Sequence, residues 1–368
     1  MTHVLFSPLR LRSLELANRI GMAPMCQYSA RDGFANDWHS VHYGARAQGG
    51  VGLMLLEATA VTPEGRISIG DLGLWRDEQV AGLQKIVDFL HAQGVHAGIQ
   101  LAHAGRKASM DIPFGGERLL SAPEGGWQPV APSAVAFADH YATPLALDQA
   151  GIDAVVESFA SAARRALEAG FDLVEIHAAH GYLLHQFLSP LANRRQDAYG
   201  GSLENRARLS LQVVDAVRAV WPAHLPLLVR ISATDWVEGG WNADESVALC
   251  RFFAEHGVDL VDVSSGGMVP DAKIPVGPGF QVEFARRIRR ETKLPTAAVG
   301  LITDAAQANS IVEKGDADLV LLARELLRNP YWPLHAAAAL GQPVGWPAPY
   351  LRAAPRGSLP RMAASTPE

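Results

Sequence analysis

The chain has 368 residues, 48% hydrophobic and 19% charged, with a formal net charge of -6, a balance that belongs to folded globular proteins and excludes a disordered one. Its lysines and arginines are scattered rather than gathered into a stripe, which sets nucleic acid aside as a partner. Two cysteines, Cys26 and Cys250, are too few for a disulfide framework, so a reducing cytoplasm is expected; no leader-like N-terminus and no apolar run of about 18 residues calls for a membrane.

In chain order, short apolar or β-branched runs alternate with longer amphipathic stretches, the pattern of repeated βα units around a parallel sheet. Strands are predicted over Ile20 to Pro24, Gly52 to Glu57, Ala97 to Leu101, Leu173 to His177, Leu227 to Ile231, Leu260 to Val263, Thr296 to Val299 and Leu319 to Leu322. Helices are predicted over Asp77 to Ala92, Asp148 to Ala169, Leu203 to Val220, Asp244 to Glu255, Val282 to Glu291 and Asp304 to Glu313. Thr303 is the expected N-cap of the last, and Gly94, Gly170, Gly257 and Gly315 stand where helices should stop. Eight such units close into a (β/α)8 TIM barrel. A doubly wound open sheet shares the alternation, but ordinarily carries a glycine-rich turn after its first strand, where this chain has Met22 to Cys26.

A single domain over 1–368 is expected, with three additions to the barrel: an N-terminal extension through Arg19, an insertion from Ala104 to Leu147, and a proline-rich tail after Gly341. The insertion follows the third strand, holds Trp127 and would act as a lid, whereas Arg356 to Glu368 should fray.

In a barrel the functional groups come from the C-terminal ends of the strands. Those ends carry Ala23, Pro24, Met25, Cys26 and Tyr28, then Gln100 and His103, then His177, His180 and Tyr182, then Arg230, Gly300, and the pair Ala323 and Arg324. Gly300 and Arg324 beside helix starts suit a phosphate; alternatively Gly300 only permits a turn and Arg324 pairs with a surface acid. His177 and His180 admit three readings, as metal ligands, as donors to a substrate oxygen, or as structural histidines. Against metal, no carboxylate occupies an obvious third-ligand position, and Glu175 points opposite to its chain neighbours. Two imidazoles followed by a phenol suit a carbonyl or nitro oxygen on which negative charge develops, with Tyr182 able to supply a proton. Arg230 is costly to bury unless it meets a ligand or an acid, so an ion pair inside the barrel is its alternative reading. Cys26 is either an inert small hydrophobe or a site residue, and Cys250 is structural.

The stretch His177-Ala178-Ala179-His180-Gly181-Tyr182-Leu183-Leu184-His185-Gln186-Phe187-Leu188, continuing to Arg195 and through Tyr199 to Arg206, resembles the old yellow enzymes, in particular the bacterial branch of NADPH dehydrogenases and xenobiotic reductases. Pro24 to Tyr28, Gln100 to Lys107 and Ala298 to Thr303 support the likeness, which spans nearly the whole chain. It implies FMN over the barrel mouth, touched by Ala23, Pro24, Met25, Cys26 and Ala60, with Gln100 on the pyrimidine edge and Arg230 near N1. The phosphate would take Gly300, Ala323 and Arg324, although the family usually has glycine where Ala323 stands. NADPH or NADH would reduce FMN, and an enal, enone, maleimide or nitro compound would then accept hydride on its β-carbon. His177, His180 and Tyr28 would hold its oxygen, Tyr182 or water would protonate the α-carbon, and Cys26 would tune redox behaviour. Arg352 would enter the site from a neighbouring subunit of a homo-oligomer, a dimer or tetramer, though Ala353-Ala354 departs from the common ending. The alternatives are a metal-dependent hydrolase or lyase and a flavin-binding protein without turnover.

Overall fold

Each predicted strand forms, and all eight close into one parallel barrel. The computed structural model describes residues 3–116 and 118–362. The barrel strands are β1 (Ile20–Met22), β2 (Leu53–Ala60), β3 (His96–Ala102), β4 (Leu173–Ala178), β5 (Leu227–Ser232), β6 (Leu260–Ser264), β7 (Thr296–Val299) and β8 (Leu319–Leu322), and β8 pairs with β1 to complete the ring. Every residue of β2, β3 and β4 is buried, as expected of strands covered on both faces. A short hairpin (Leu9–Leu11 with Leu14–Leu16) precedes them.

The major helices are α1 (Asp37–Gly49), α2 (Val80–Ala92), α3 (Gln149–Glu168), α4 (Leu183–Leu188), α5 (Leu203–Val220), α6 (Ala243–Glu255), α7 (Val282–Thr292), α8 (Ala305–Glu313), α9 (Arg324–Arg328) and α10 (Trp332–Ala339). Their starts are capped by short polar side chains: Asn36 for α1, Asp148 for α3, Ser202 for α5 and Asn242 for α6. The cap of α8 is Asp304 and not Thr303: the Asp304 carboxylate accepts from the N–H groups of Ala306 and Gln307, both at 3.0 Å. An ionised acceptor at a helix start outweighs a hydroxyl one residue earlier. Gly94, Gly170, Gly257 and Gly315 all adopt positive φ where their helices end.

The tail departs from expectation. Residues 356–362 are docked across the N-terminal rim, where the Arg361 guanidinium donates to Ala47 O at 2.8 Å, Gln48 O at 3.3 Å and Gly345 O at 3.2 Å. Carbonyls left over at the end of α1 need donors, and an arginine fork supplies them. Residues 363–368 lie outside the described residues. Among the described residues no helix is long and apolar enough to cross a membrane.

Candidate active site

The end of β4 turns sharply into α4; the strand end carries His177, and the turn carries His180 and Tyr182. His180 has φ +58 and Gly181 φ +72. A Cβ on Gly181 would lie 2.0 Å from Gly267 O, and one on Gly267 would lie 2.6 Å from His180 Cα, so two loops meet backbone to backbone. Lys107 fastens the contact by donating to His180 O at 3.0 Å and Gly267 O at 3.2 Å, while Arg106 donates to Met268 O at 2.7 Å. The His177 ring sits edge-on to His180 and to Tyr182, with centroids 5.1 Å away in each case. His180 Nε2 lies 2.7 Å from Ser264 Oγ, and buried His177 Nδ1 has no hydrogen-bond partner.

Electrostatics fix the protonation states. Burial, then the Arg230 guanidinium, lowers both imidazoles well below the usual histidine range, so both are neutral near pH 7. Burial pushes the Tyr182 phenol up, then the nearby Cys26 adds to it. Burial, then Arg106, lowers the Lys107 ammonium to about 8; its Nζ stands 5.1 Å over the Tyr182 ring. A cation on that ring face favours a phenolate at Tyr182.

The loop after β1 brings Cys26 and Tyr28 to the same mouth. Tyr28 has φ +50, and its side chain lies near enough to Cys26 for each to shift the other's protonation. The loop is held from behind, where the Gln27 N–H donates to Glu57 Oε2 at 2.8 Å and Trp38 Nε1 donates to the Gln27 side chain at 3.1 Å. Glu57 sits at a register irregularity in β2 and also accepts the Tyr43 hydroxyl at 2.9 Å. Burial, then Asp71 and Glu57, raises the Cys26 thiol, which keeps it protonated and removes it as a nucleophile.

Below the mouth, alternation places Glu175 on the face of His177, away from Val174 and Ile176. Gln100 Nε2 donates to Glu175 Oε1 at 2.8 Å. Arg230, opposite His177 in the β4–β5 register, approaches Asp262 Oδ2 at 2.9 Å but without hydrogen-bond alignment. The ion pair inside the barrel is therefore present, and it leaves the Arg230 Nε and both Asp262 oxygens without aligned partners. Glu175 is raised to about 8 by burial and then by Asp262, and Asp262 to about 6 by burial.

Across the mouth, a cleft of about 220 Å³ is lined by Gly300, Thr303, Ala323, Arg324, Glu325, Arg328 and Gln281 among others. Gly300 has φ +117, and a Cβ there would lie 2.7 Å from Gln281 Nε2. Among the described residues Arg328 pairs with Glu325, whereas Arg324 forms no ion pair. A guanidinium with no ion pair, lining the same cleft as Gly300, suits a phosphate better than the alternative of a surface ion pair. Arg352 does not join the others: it is exposed in a turn whose Tyr350 hydroxyl donates to Gln48 at 3.4 Å, near the C-terminal end of α1 on the opposite rim. The residues missed by sequence reasoning are Ser264, Gln281 and Asp262, ordinary types with no local motif, and Lys107, which was visible only inside a longer match.

A barrel with a phosphate-ready cleft, a buried arginine and a neutral donor pair facing one mouth has the makings of a flavin-dependent oxidoreductase. The chain belongs to the NADH:flavin oxidoreductase / NADH oxidase family, whose model matches residues 4–342. It is 52% identical over 354 residues to an NADPH dehydrogenase of Geobacillus thermodenitrificans (strain NG80-2), covering 96% of this chain and 99% of that one. An NADPH dehydrogenase of Halalkalibacterium halodurans is 48% identical over 355 residues, with the same coverage of 96% and 99%. Among solved structures, morphinone reductase superposes with a TM-score of 0.77 at 32% identity, over 95% of this chain and 92% of that one. The protein is an FMN-dependent oxidoreductase of the old yellow enzyme type.

Proposed function

We propose that the protein is an ene-reductase: electrons enter from NADPH, and the product is an α,β-unsaturated carbonyl or nitro compound saturated at its activated double bond, with Tyr182 as proton donor. The observation that carries this reading is the pair of neutral imidazoles, His177 and His180, beside a protonated phenol, with ring centroids 5.1 Å apart. Bound FMN would accept hydride from the nicotinamide and supply it to the β-carbon of the alkene. His177 and His180 each offer an N–H to the activating oxygen without bringing a formal charge that would bind the ground state equally well. As negative charge grows on that oxygen, each positioned donor is worth about a hundredfold in rate. Tyr28 adds a hydroxyl from the β1 loop. Tyr182 keeps its proton until the α-carbon becomes basic, and Lys107 stabilises the phenolate left behind.

The FMN contacts are assigned to Ala23, Pro24, Met25, Cys26, Ala60, Gln100 and Arg230 for the ring, and to Gly300, Ala323 and Arg324 for the phosphate. Arg324, which forms no ion pair among the described residues, and Gly300 in the same cleft support the phosphate end. The Arg230 Nε, buried without an aligned hydrogen bond, supports the ring end. Arg352, remote from the site of its own chain, is assigned to the site of a neighbouring copy in a homo-oligomer. A monomer that turns over as fast as the assembly would overturn that assignment.

The main test is spectroscopic. The purified protein should be yellow, bleach anaerobically with NADPH, and regain its colour when cyclohexenone is added. In Tyr182→Phe the NADPH step should be unchanged, while the alkene step slows about a hundredfold, the usual worth of a general acid. A flavin that bleaches but is reoxidised by no activated alkene would sink the ene-reductase reading.

A further inference from the structure

His180 is useful to a substrate oxygen only if the proton of its neutral ring stands on the nitrogen facing that oxygen. Its Nε2 is taken by Ser264 Oγ at 2.7 Å, while Nδ1 makes no hydrogen bond within the described chain. Which nitrogen carries the proton depends on which way the Ser264 hydroxyl points.

That direction follows from hydrogen-bond accounting. Gln281 Nε2 donates to Val299 O at 2.9 Å, and because a backbone carbonyl can only accept, the amide is oriented with Oε1 toward the two serines. Ser265 Oγ donates to that oxygen at 2.6 Å, whereas Ser264 Oγ stands 3.4 Å away, at the outer limit for a hydrogen bond. Gln281 is thus satisfied by Ser265, and the Ser264 proton has its better acceptor 2.7 Å away, on the imidazole.

We infer that Ser264, released by the Ser265–Gln281 hydrogen bond, donates to His180 Nε2 and fixes His180 as the Nδ1–H tautomer, making Ser264 a positioning residue that sets the imidazole to donate to the substrate oxygen. The inference rests on the proposed role of His180 in holding that oxygen. The opposite arrangement, with Nε2–H donating to Ser264, would present a ring lone pair to a carbonyl oxygen, and two acceptors would face each other. The neutral state of the ring, forced by burial and then by Arg230, is what makes the tautomer matter: an imidazolium would donate from both nitrogens. The chain His180, Ser264, Gln281, Val299 ends one residue before Gly300, whose added Cβ would strike Gln281 Nε2 at 2.7 Å. The glycine therefore also leaves room for the amide that orients the serines.

The test is a long-range proton–nitrogen NMR spectrum of the holoenzyme, with histidine labelled by the heavy isotope of nitrogen and His180 assigned by the signal lost in His180→Gln. The wild-type protein should show His180 with its proton on Nδ1. In Ser264→Ala the population should move toward Nε2–H, and kcat/KM for cyclohexenone should fall about three- to tenfold, the worth of one neutral hydrogen bond. Ser264→Thr should keep the tautomer and the rate. If Ser264→Ala does not fold, Ser265→Ala reads the same point, because Gln281 then loses its donor and draws the Ser264 proton away from His180. A wild-type His180 protonated on Nε2, or a tautomer unmoved by these substitutions, overturns the inference whether or not alkenes are reduced. An Nδ1–H ring in a protein that reduces no activated alkene leaves the tautomer standing and removes the ene-reductase reading instead.

Discussion

Arg230 stands between two buried carboxylates, Asp262 at 2.9 Å and Glu175, which is itself raised to about 8 by burial and Asp262. One guanidinium therefore holds down the cost of two acids in a low-dielectric interior. Replacing it with alanine leaves both acids without a cation, and such loss of one partner from a buried pair costs about 3–5 kcal/mol. The Arg230→Ala protein should be less stable than wild type in urea unfolding, and the deficit should widen from pH 6 to pH 8, as the orphaned acids are forced to ionise. Arg230→Lys should recover part of it. A deficit near zero at both pH values would mean that the pair contributes nothing to the fold and that the arginine is retained for its ligand alone. At this scale the sequence shows that Arg230 is expensive, since a cation at a strand end needs a partner. It cannot show that the partner is Asp262, because that depends on the β5–β6 register, which pairs Arg230 with Asp262 directly. Ser264 and Gln281 are invisible for a similar reason: a serine and a glutamine gain significance only when three segments distant in sequence converge on one imidazole.

At the level of elements, legibility follows the strength of the local signal. Thr296–Val299 and Leu319–Leu322 form with their predicted bounds, and every residue of both is buried, as in strands covered on both faces. Strand β2 continues to Ala60, beyond its predicted end at Glu57, because the acid is accommodated at a register irregularity and satisfied by Tyr43 and Gln27. A buried carboxylate in an apolar run reads as a strand end until its donors are known. The insertion after β3 has little secondary structure of its own and is held by side chains. The Arg66 guanidinium lies over both the Trp75 ring at 5.3 Å and the Trp127 ring at 4.7 Å, and Trp127 Nε1 donates to Glu64 O at 2.8 Å. Arg106 reaches Val135 O and Ala136 O, each at 3.3 Å. These contacts fasten the segment to the loop after β2 and to the strand-three end, the rim that carries Tyr28 and Tyr182. Composition marks the insertion as a loop; only the cation–π and carbonyl contacts show where it is pinned.

Across the whole molecule, the buried titratable groups divide into two sets that act on stability with opposite sign. His39, His42 and His103 are lowered to about 4, 3 and 4 by burial, so below pH 6.5 the unfolded chain binds protons that the folded chain refuses. Stability from this set rises as pH climbs to about 6.5 and then stops changing. Glu57 and Glu175, both raised to about 8, behave conversely. Between about pH 4.5 and 8 the folded chain binds more protons than the unfolded one, so stability falls as pH rises through that window and levels off above it. His91, raised by its hydrogen bond to Asp172, adds to the fall just above its ordinary value, whereas Lys107 begins to oppose it only near pH 8. From pH 6.5 to 8 the slope thus belongs mainly to two carboxylates, each able to contribute up to about 1.4 kcal/mol per pH unit. Glu57 is the one to change, because it lies behind the β1 loop and is bonded to Tyr43 and Gln27 rather than facing the mouth. Urea unfolding of the holoenzyme at pH 6.5 and pH 8 should show wild type losing stability, and Glu57→Gln losing about half as much, whatever offset the amide introduces at both values. An undiminished slope in Glu57→Gln would mean that Glu57 is already ionised in the folded protein, and that Tyr43, Gln27 and the buried His39 imidazole 3.5 Å away together hold a buried carboxylate at neutral pH.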